Sequence, residues 1–161
     1  MTSSVGFAAL VLGSGADLAE ALVRLDVLSV APAVRPEDLA SAATLRDALG
    51  RAFAQAGAGD GLALRDVETL NSYAADEPPI VALTPKGDLL RIATGPVRCA
   101  LAAIARDSID VIARRARDLR RCEGCGAYFL DGSRGKRRRW CSMQRCGNRA
   151  KVSGYRARRQ R

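Results

Sequence analysis

Four of the five cysteines in this chain stand in the spacing Cys122-x2-Cys125-x15-Cys141-x4-Cys146. Two cysteines separated by two residues place both sulfurs on one tight turn, facing a common centre. Gly124 and Gly126 let that turn adopt strained angles and leave backbone N–H groups free to bond sulfur. The stretch between the pairs has room for a short strand over 127–130 and a return strand over 138–140, after which the second pair closes a tetrahedron. Four sulfurs suit Zn²⁺, at about 2.3 Å each. An ion held by four protein ligands keeps no open position, so the chemistry is structural and not catalytic. Four thiolates around a dication leave a net negative charge, which the nearby Lys136, Arg137, Arg138, Arg139 and Arg145 offset. Zinc binding supplies about 10–16 kcal/mol of apparent free energy at neutral pH, ample to fold so small a segment. Disulfides and an iron–sulfur cluster are the alternatives. The odd cysteine count and the clustered spacing argue against the first, and an Arg-rich surround suits recognition more than electron transfer. Cys99 lies far from the other four and reads as a small buried hydrophobe.

The module that this site must organise is distinct in charge. Residues 121–161 hold 13 Lys+Arg against 2 Asp+Glu, a net of +11, while the rest of the chain nets −2. All of the overall +9 therefore lies in the C-terminal quarter. A basic end on a near-neutral body points to a polyanionic partner. With 161 residues the chain has room for one helical domain able to bury a core, plus a small module that cannot fold without help. No run of about 18 apolar residues occurs, and the apolar stretch over 7–12 has no basic residue before it, so neither a membrane span nor a signal peptide is expected. A reducing, cytoplasmic setting follows, with nucleoid association if the partner is DNA. Ala- and Arg-rich usage fits a GC-rich bacterial genome.

Upstream, the periodicity predicts a helix over 16–30, with Leu18, Leu22 and Leu25 on one face. A second runs over 36–55, opened by Pro36-Glu37-Asp38 and striped by Leu39, Ala42, Leu45, Leu49 and Phe53. A third, over 62–75, is expected to bury Ala63, Val67, Leu70 and Ala74. Apolar runs at 80–84 and 88–92 around Pro85-Lys86-Gly87 predict a β-hairpin. Gly95-Pro96 then opens a long helix to 119, with Val97, Leu101, Ile104, Ser108, Val111 and Ile112 inward.

The motifs Cys122-Glu-Gly-Cys125, Tyr128-Phe-Leu-Asp131, Arg139-Trp-Cys-Ser-Met143 and Cys146-Gly-Asn-Arg-Ala-Lys151 closely resemble the CGNR zinc finger, whose name-giving tetrapeptide is intact. The resemblance covers 118–161. Known relatives carry an upstream α-helical domain with a hairpin, the ABATE domain, which the helix–hairpin–helix order at 1–117 resembles. The Val-Asn-Thr segment that such domains show near their start is absent from residues 1–15. The fold implied is a mainly α N-terminal domain with one β-hairpin (α+β), followed by a small zinc-stabilised treble-clef or ribbon-like module ending in a basic helix. The function implied is that of a bacterial DNA-binding transcription regulator.

If Ser142 starts a helix that continues through 159, Arg145, Arg149, Arg156 and Arg159 fall within about 80° of one another. Such a stripe can lie in the major groove and meet guanine or phosphate, with Lys136, Arg137, Arg138 and Arg139 gripping the backbone and Lys151 reaching a flanking phosphate. Trp140, Phe129 and Tyr128 read as a mini-core around the metal ahead of a base-stacking platform, Asn148 as the cap of a turn or helix start ahead of a reader of adenine, and Asp131 as a turn former that could also hold an Arg. Duplex DNA is the expected partner. An RNA-binding module and a zinc-stiffened protein–protein adaptor remain open, as do a homodimer and a small-molecule effector at the N-terminal domain. An enzyme is not expected: without His neither Ser-His-Asp nor Cys-His arrangements can form, and no P-loop or dinucleotide-type glycine loop is present.

Overall fold

The computed structural model describes residues 3–159; the side chains of Ser3 and of residues 154–158 lie outside the described set, the predicted contact Arg156 among them. The chain forms helices α1 (Ser3–Phe7), α2 (Gly15–Arg24), α3 (Pro36–Ala58) and α4 (Leu64–Ala74). A hairpin of β1 (Ile80–Leu83) and β2 (Leu89–Ile92) follows, then α5 (Pro96–Arg115) and a 3₁₀ turn, Ala116–Asp118. The C-terminal module comprises β3 (Leu119–Arg121), β4 (Tyr128–Leu130), a π-helical turn Met143–Gly147 and α6 (Asn148–Arg159). This is the mainly helical architecture with one upstream hairpin that the pattern predicted. Among the described residues no helix is long and apolar enough to cross a membrane.

α3 and α5 are the spine. Leu45, Leu49, Phe53, Leu101 and Ile104 are buried where they face each other, with Leu18 and Leu22 of α2 and Leu70 of α4 closing the core. Pro36 and the acids Glu37 and Asp38 start α3 as expected, with Asp38 bonded back to the Arg35 N–H at 3.0 Å. Gly59 ends it in the left-handed conformation, φ 83°, where a Cβ would cost about 1 kcal/mol. α4 is tied down by polar anchors as well as by apolar contacts. Asp66 is fully buried and receives Arg51 at 2.7 and 3.0 Å, and Arg106 donates to the carbonyls of Ala74 and Asp76.

Several boundaries differ from the sequence-based reading. α2 ends at Arg24 and not near 30, because the chain reverses at Asp26 in the left-handed region, φ 57°, with the Asp26 and Val27 amides folded back on Val23 and Leu22. Residues 3–7 form a helix that the pattern does not predict; Val5 and Phe7 are buried against α5 and β4. The Ser4 amide donates to the Asp107 carboxylate at 2.8 Å, holding this turn to α5. In α4, Ala63, Val67 and Ala74 are only half-buried, while Asp66 takes a core position through its ion pair with Arg51. α5 stops at Arg115 and not at 119, because Leu119 becomes a strand residue that is 2% exposed in the helical core.

That last point decides how the two parts of the chain relate. β3 pairs antiparallel with β4, Leu119 opposite Leu130 and Arg121 opposite Tyr128. Leu119 is a member of the helical core, and Tyr128 and Leu130 pack against it. The Tyr128 ring meets Phe53 of α3 edge-on at 5.9 Å. The C-terminal module is therefore seated on the helical body through its own hairpin.

Candidate metal centre and basic surface

The knuckle begins where β3 ends. Cys122 donates its amide to the Ala127 carbonyl at 2.8 Å and accepts Gly126 N–H at 2.9 Å, closing the turn that carries Cys122 and Cys125. Gly126 sits at φ 74°, as the glycine-rich turn predicted. Gly124 serves a different end: its Cβ would lie 3.0 Å from Cys146 Cβ and 3.5 Å from Cys146 Sγ, so it lets the second cysteine pair close on the first.

The expected return strand over 138–140 does not form. Asp131, fully buried, takes the Ser133 amide on one oxygen at 2.9 Å and the Arg138 amide on the other at 3.0 Å, withdrawing donors a ladder would need. Its carboxyl is held down to about 2, first by Ser133 and then by the Arg138 and Ser133 N–H groups. Only the Glu123 amide reaches across, to the Arg139 carbonyl at 2.9 Å. The loop then delivers Cys141, whose amide donates to Cys122 Sγ at 3.3 Å.

Ser142, in extended conformation, caps the next element by accepting Arg145 N–H at 3.4 Å. The turn that follows is π-helical over Met143–Gly147 and only then α-helical from Asn148. The predicted helix start at Ser142 is thus correct, but its first turn is wider than 3.6 residues. Asn148 is itself helical, at −65° and −40°, and it closes the π-turn through its backbone N–H on the Met143 and Arg145 carbonyls; it does not start a helix as a side-chain cap. Packing explains the need for glycine at 147, since a Cβ there would lie 2.7 Å from Met143 Sδ and 3.4 Å from the Trp140 ring.

The four sulfurs of Cys122, Cys125, Cys141 and Cys146 all lie within 4.8 Å of one another. Cys125 to Cys141 is 3.7 Å and Cys141 to Cys146 is 3.8 Å. A tetrahedron with bonds of about 2.3 Å has edges of about 3.8 Å, so the donor set fits a Cys₄ metal site. Electrostatics prepare it unequally. Burial opposes ionisation of Cys122, yet the N–H groups of Cys141, Gly124 and Cys125 bring its thiol down to about 6. Cys141 is pushed up to about 12 by burial and by the neighbouring thiols. Phe129 and Trp140 cover the cluster, as the mini-core reading expected, whereas Tyr128 turns to the helical body. Cys99, outside the cluster, is half-buried and donates to the Thr94 carbonyl at 3.3 Å; it is less enclosed than its reading as a core residue implied.

The basic residues divide into two groups. Lys136 Nζ lies 2.6 Å from Asp118 and 2.8 Å from the Asp131 carbonyl, and Arg139 clasps Glu123 at 2.5–2.8 Å while lying over Trp140. Arg138 stacks on Phe129 at 5.3 Å and donates to the Cys141 carbonyl. These three lock the loop. By contrast Arg134, Arg137, Arg145, Arg149 and Lys151 are exposed and their side chains meet no acid among the described residues. The sequence reading singles out neither Arg134 among the exposed cations nor Asp118 as the anchor of Lys136; the second role rests on a pairing, 18 residues apart, that only the folded loop creates. Val152, on the same side as the Arg stripe, stays 49% exposed and does not pack inward.

Substituting Gly124 by Ala is expected to weaken metal binding by about tenfold to a hundredfold, the range for changes just outside the ligands. Gly147→Ala should cost less, because the Met143 thioether is half-exposed and can swing away. Competition with a chromophoric chelator measures both, and a Gly124→Ala protein with unchanged affinity would refute the close-approach argument.

Comparison with known families agrees with this geometry. Residues 118–159 match the CGNR zinc finger. Residues 11–115 match the ABATE family, described as a putative stress-induced transcription regulator. No curated protein matches the chain. With the larger match spanning more than half of its length, the chain belongs to the ABATE family and carries a CGNR zinc finger after that domain.

Proposed function

We propose that this chain is a zinc-dependent nucleic-acid-binding protein and, within that class, a cytoplasmic bacterial transcription regulator that binds duplex DNA. Zinc is the ion proposed because four thiolates at tetrahedral spacing form the donor set it prefers. The observation that carries the reading is the set of exposed cations without acidic partners on the finger: Arg134 and Arg137 on the loop after β4, Arg145 in the π-helical turn, and Arg149 and Lys151 at the start of α6. The acids of the finger are already engaged, Glu123 by Arg139 and Asp131 by the loop amides, so they do not neutralise this surface. The π-helical turn and the first turn of α6 enter the major groove with Arg145 and Arg149 foremost, and the loop cations hold the phosphate backbone. The helical body senses a signal or sets the assembly state.

Fluorescence anisotropy of the zinc-loaded chain on duplex DNA tests this. With three to five phosphate contacts the logarithm of the affinity should fall against the logarithm of salt with a slope of about −3 to −4.5. Arg149→Ala should lower the slope by about 1, whereas Arg139→Ala, whose side chain is paired with Glu123, should change it less. Absence of binding to any duplex near 50 mM salt rejects the reading, and preferential capture by structured RNA in competition would move it to RNA recognition.

A further inference from the structure

Among the described residues the hairpin of β1 and β2 gathers the largest group of exposed aliphatic side chains in one element pair. Ile80, Val81 and Leu83 of β1 are 65–73% exposed, and Leu89 and Ile92 of β2 are 44% and 53% exposed. An isolated two-stranded hairpin is marginal in water. Ile80 and Ile92 share one face of the hairpin and Val81, Leu83 and Leu89 the other, so both faces present exposed aliphatic side chains beside the free edge.

The ladder shows which amides are available. Register pairs Val81 with Arg91 and Leu83 with Leu89. The Thr84 amide bonds the Asp88 carbonyl, so Thr84, Ala82 and Ile80 direct their backbone groups into the hairpin and Val81 and Leu83 direct theirs outward. The outer side of β2 is partly capped, for the Arg91 amide donates to Ser29 Oγ at 2.9 Å. The outward amides of β1 have no hydrogen-bond partner among the described residues. The sequence of β1, Ile-Val-Ala-Leu, has no charge or proline within it, and Pro79 and Pro85 on either side confine the free edge to Val81 and Leu83.

We infer that β1 pairs antiparallel with β1 of a second copy of this chain, across a two-fold axis at Ala82, giving a four-stranded sheet. The register follows from the available amides. With Ala82 opposite its symmetry mate, each Val81 faces the other copy's Leu83, and all four outward-facing residues exchange hydrogen bonds. One residue of slip would put outward amides against inward ones. Ala82 has the small side chain that the close, non-hydrogen-bonded central pair favours. This assembly does not depend on nucleic-acid binding, although a two-fold dimer would place two fingers on one duplex.

Sedimentation equilibrium of the full, zinc-loaded chain in reductant is the test. The wild type is expected to dimerise at micromolar concentration. Val81→Glu and Leu83→Lys should each weaken self-association by about tenfold or more. An equimolar mixture of the two should recover a heterodimer, because the introduced carboxylate of one chain then faces the introduced ammonium of the other across the axis. In a Cys99→Ser background, Ala82→Cys should crosslink to itself under mild oxidation while Val81→Cys does not. A wild type that stays monomeric at about 100 µM, whether or not another protein takes the edge, overturns the proposal. So does a dimer indifferent to both charged variants, or a mixture that fails to recover.

Discussion

Removing the metal from the full chain is expected to lower the melting temperature of the helical body as well as to unfold the finger. The finger's own segment buries little: Phe129 with the two buried ligands Cys122 and Cys146, partly covered by Trp140. Without an ion to hold the sulfurs, the knuckle is tied to the segment before α6 by the Glu123 amide on the Arg139 carbonyl, the exposed Arg139–Glu123 pair and the Cys141 amide on Cys122 Sγ, too little to fix its distance from α6. The π-turn and the Asp131 loop lose their common anchor. The effect then travels through β3 and β4, because Leu119, Tyr128 and Leu130 belong to the packing of α3 and α1. Releasing these three side chains from the core costs about 3–5 kcal/mol, equivalent to about 10–15 °C in a chain of this size. Circular dichroism melts before and after exhaustive chelation measure it. A body transition that stays in place while the finger signal disappears would show that the two parts fold independently. Acid should reproduce the loss. Cys141 is raised to about 12 and Cys146 is raised as well, so both are protonated at pH 7 and must give up protons to the incoming ion. Metal affinity therefore falls as pH falls, by about a hundredfold per unit from these two protons alone.

The metal centre was legible because its determinants are local. Cys-x2-Cys, the glycines beside it and the second pair are side-chain types at fixed intervals, and the folded chain brings all four sulfurs together as the spacing required. The spine was legible for the same reason, since Leu45, Leu49, Phe53, Leu101 and Ile104 repeat at helical intervals. What escaped depended on partners far away in sequence. Asp66 reads as a solvent residue on an amphipathic stripe until Arg51 of the preceding helix arrives to neutralise it. Asp131 reads as a turn former, yet its second oxygen is committed to an amide seven residues on, and this is what suppresses the return strand. The basic run at 136–139 reads as one patch of charge; Asp118 and Glu123 divide it into residues that brace the loop and residues that face solvent. The π-turn carries no periodic signal at all, because it follows from closing Cys146 onto Gly124 while Gly147 slides under Met143 and Trp140.

Leu119→Ala should be among the most damaging single substitutions outside the cysteines, and its damage should appear on both sides of the seam. Leu119 lies one residue after the 3₁₀ turn that ends α5, opens the strand that leads to Cys122, and is 2% exposed against Phe53 and its neighbours. Its contact with α3 is close enough that a Cβ on Gly57 would rest 3.6 Å from its own. Truncating a fully buried Leu costs about 2–5 kcal/mol through lost burial and the cavity left behind. Because the residue is shared, the loss should lower the denaturation midpoint of the helical body and also weaken zinc retention. The free energy of seating β3 is then no longer available to pre-organise the knuckle. A control residue separates this from general destabilisation. Leu70 is as deeply buried but sits on α4, which packs chiefly on α3 and α5. Leu70→Ala should destabilise the body by a similar amount and leave metal affinity within about twofold when measured well below the transition. Equal effects of the two substitutions on zinc retention would mean that the finger responds to overall stability alone; an effect confined to Leu119→Ala would identify β3 as the element through which the helical body and the metal centre are coupled.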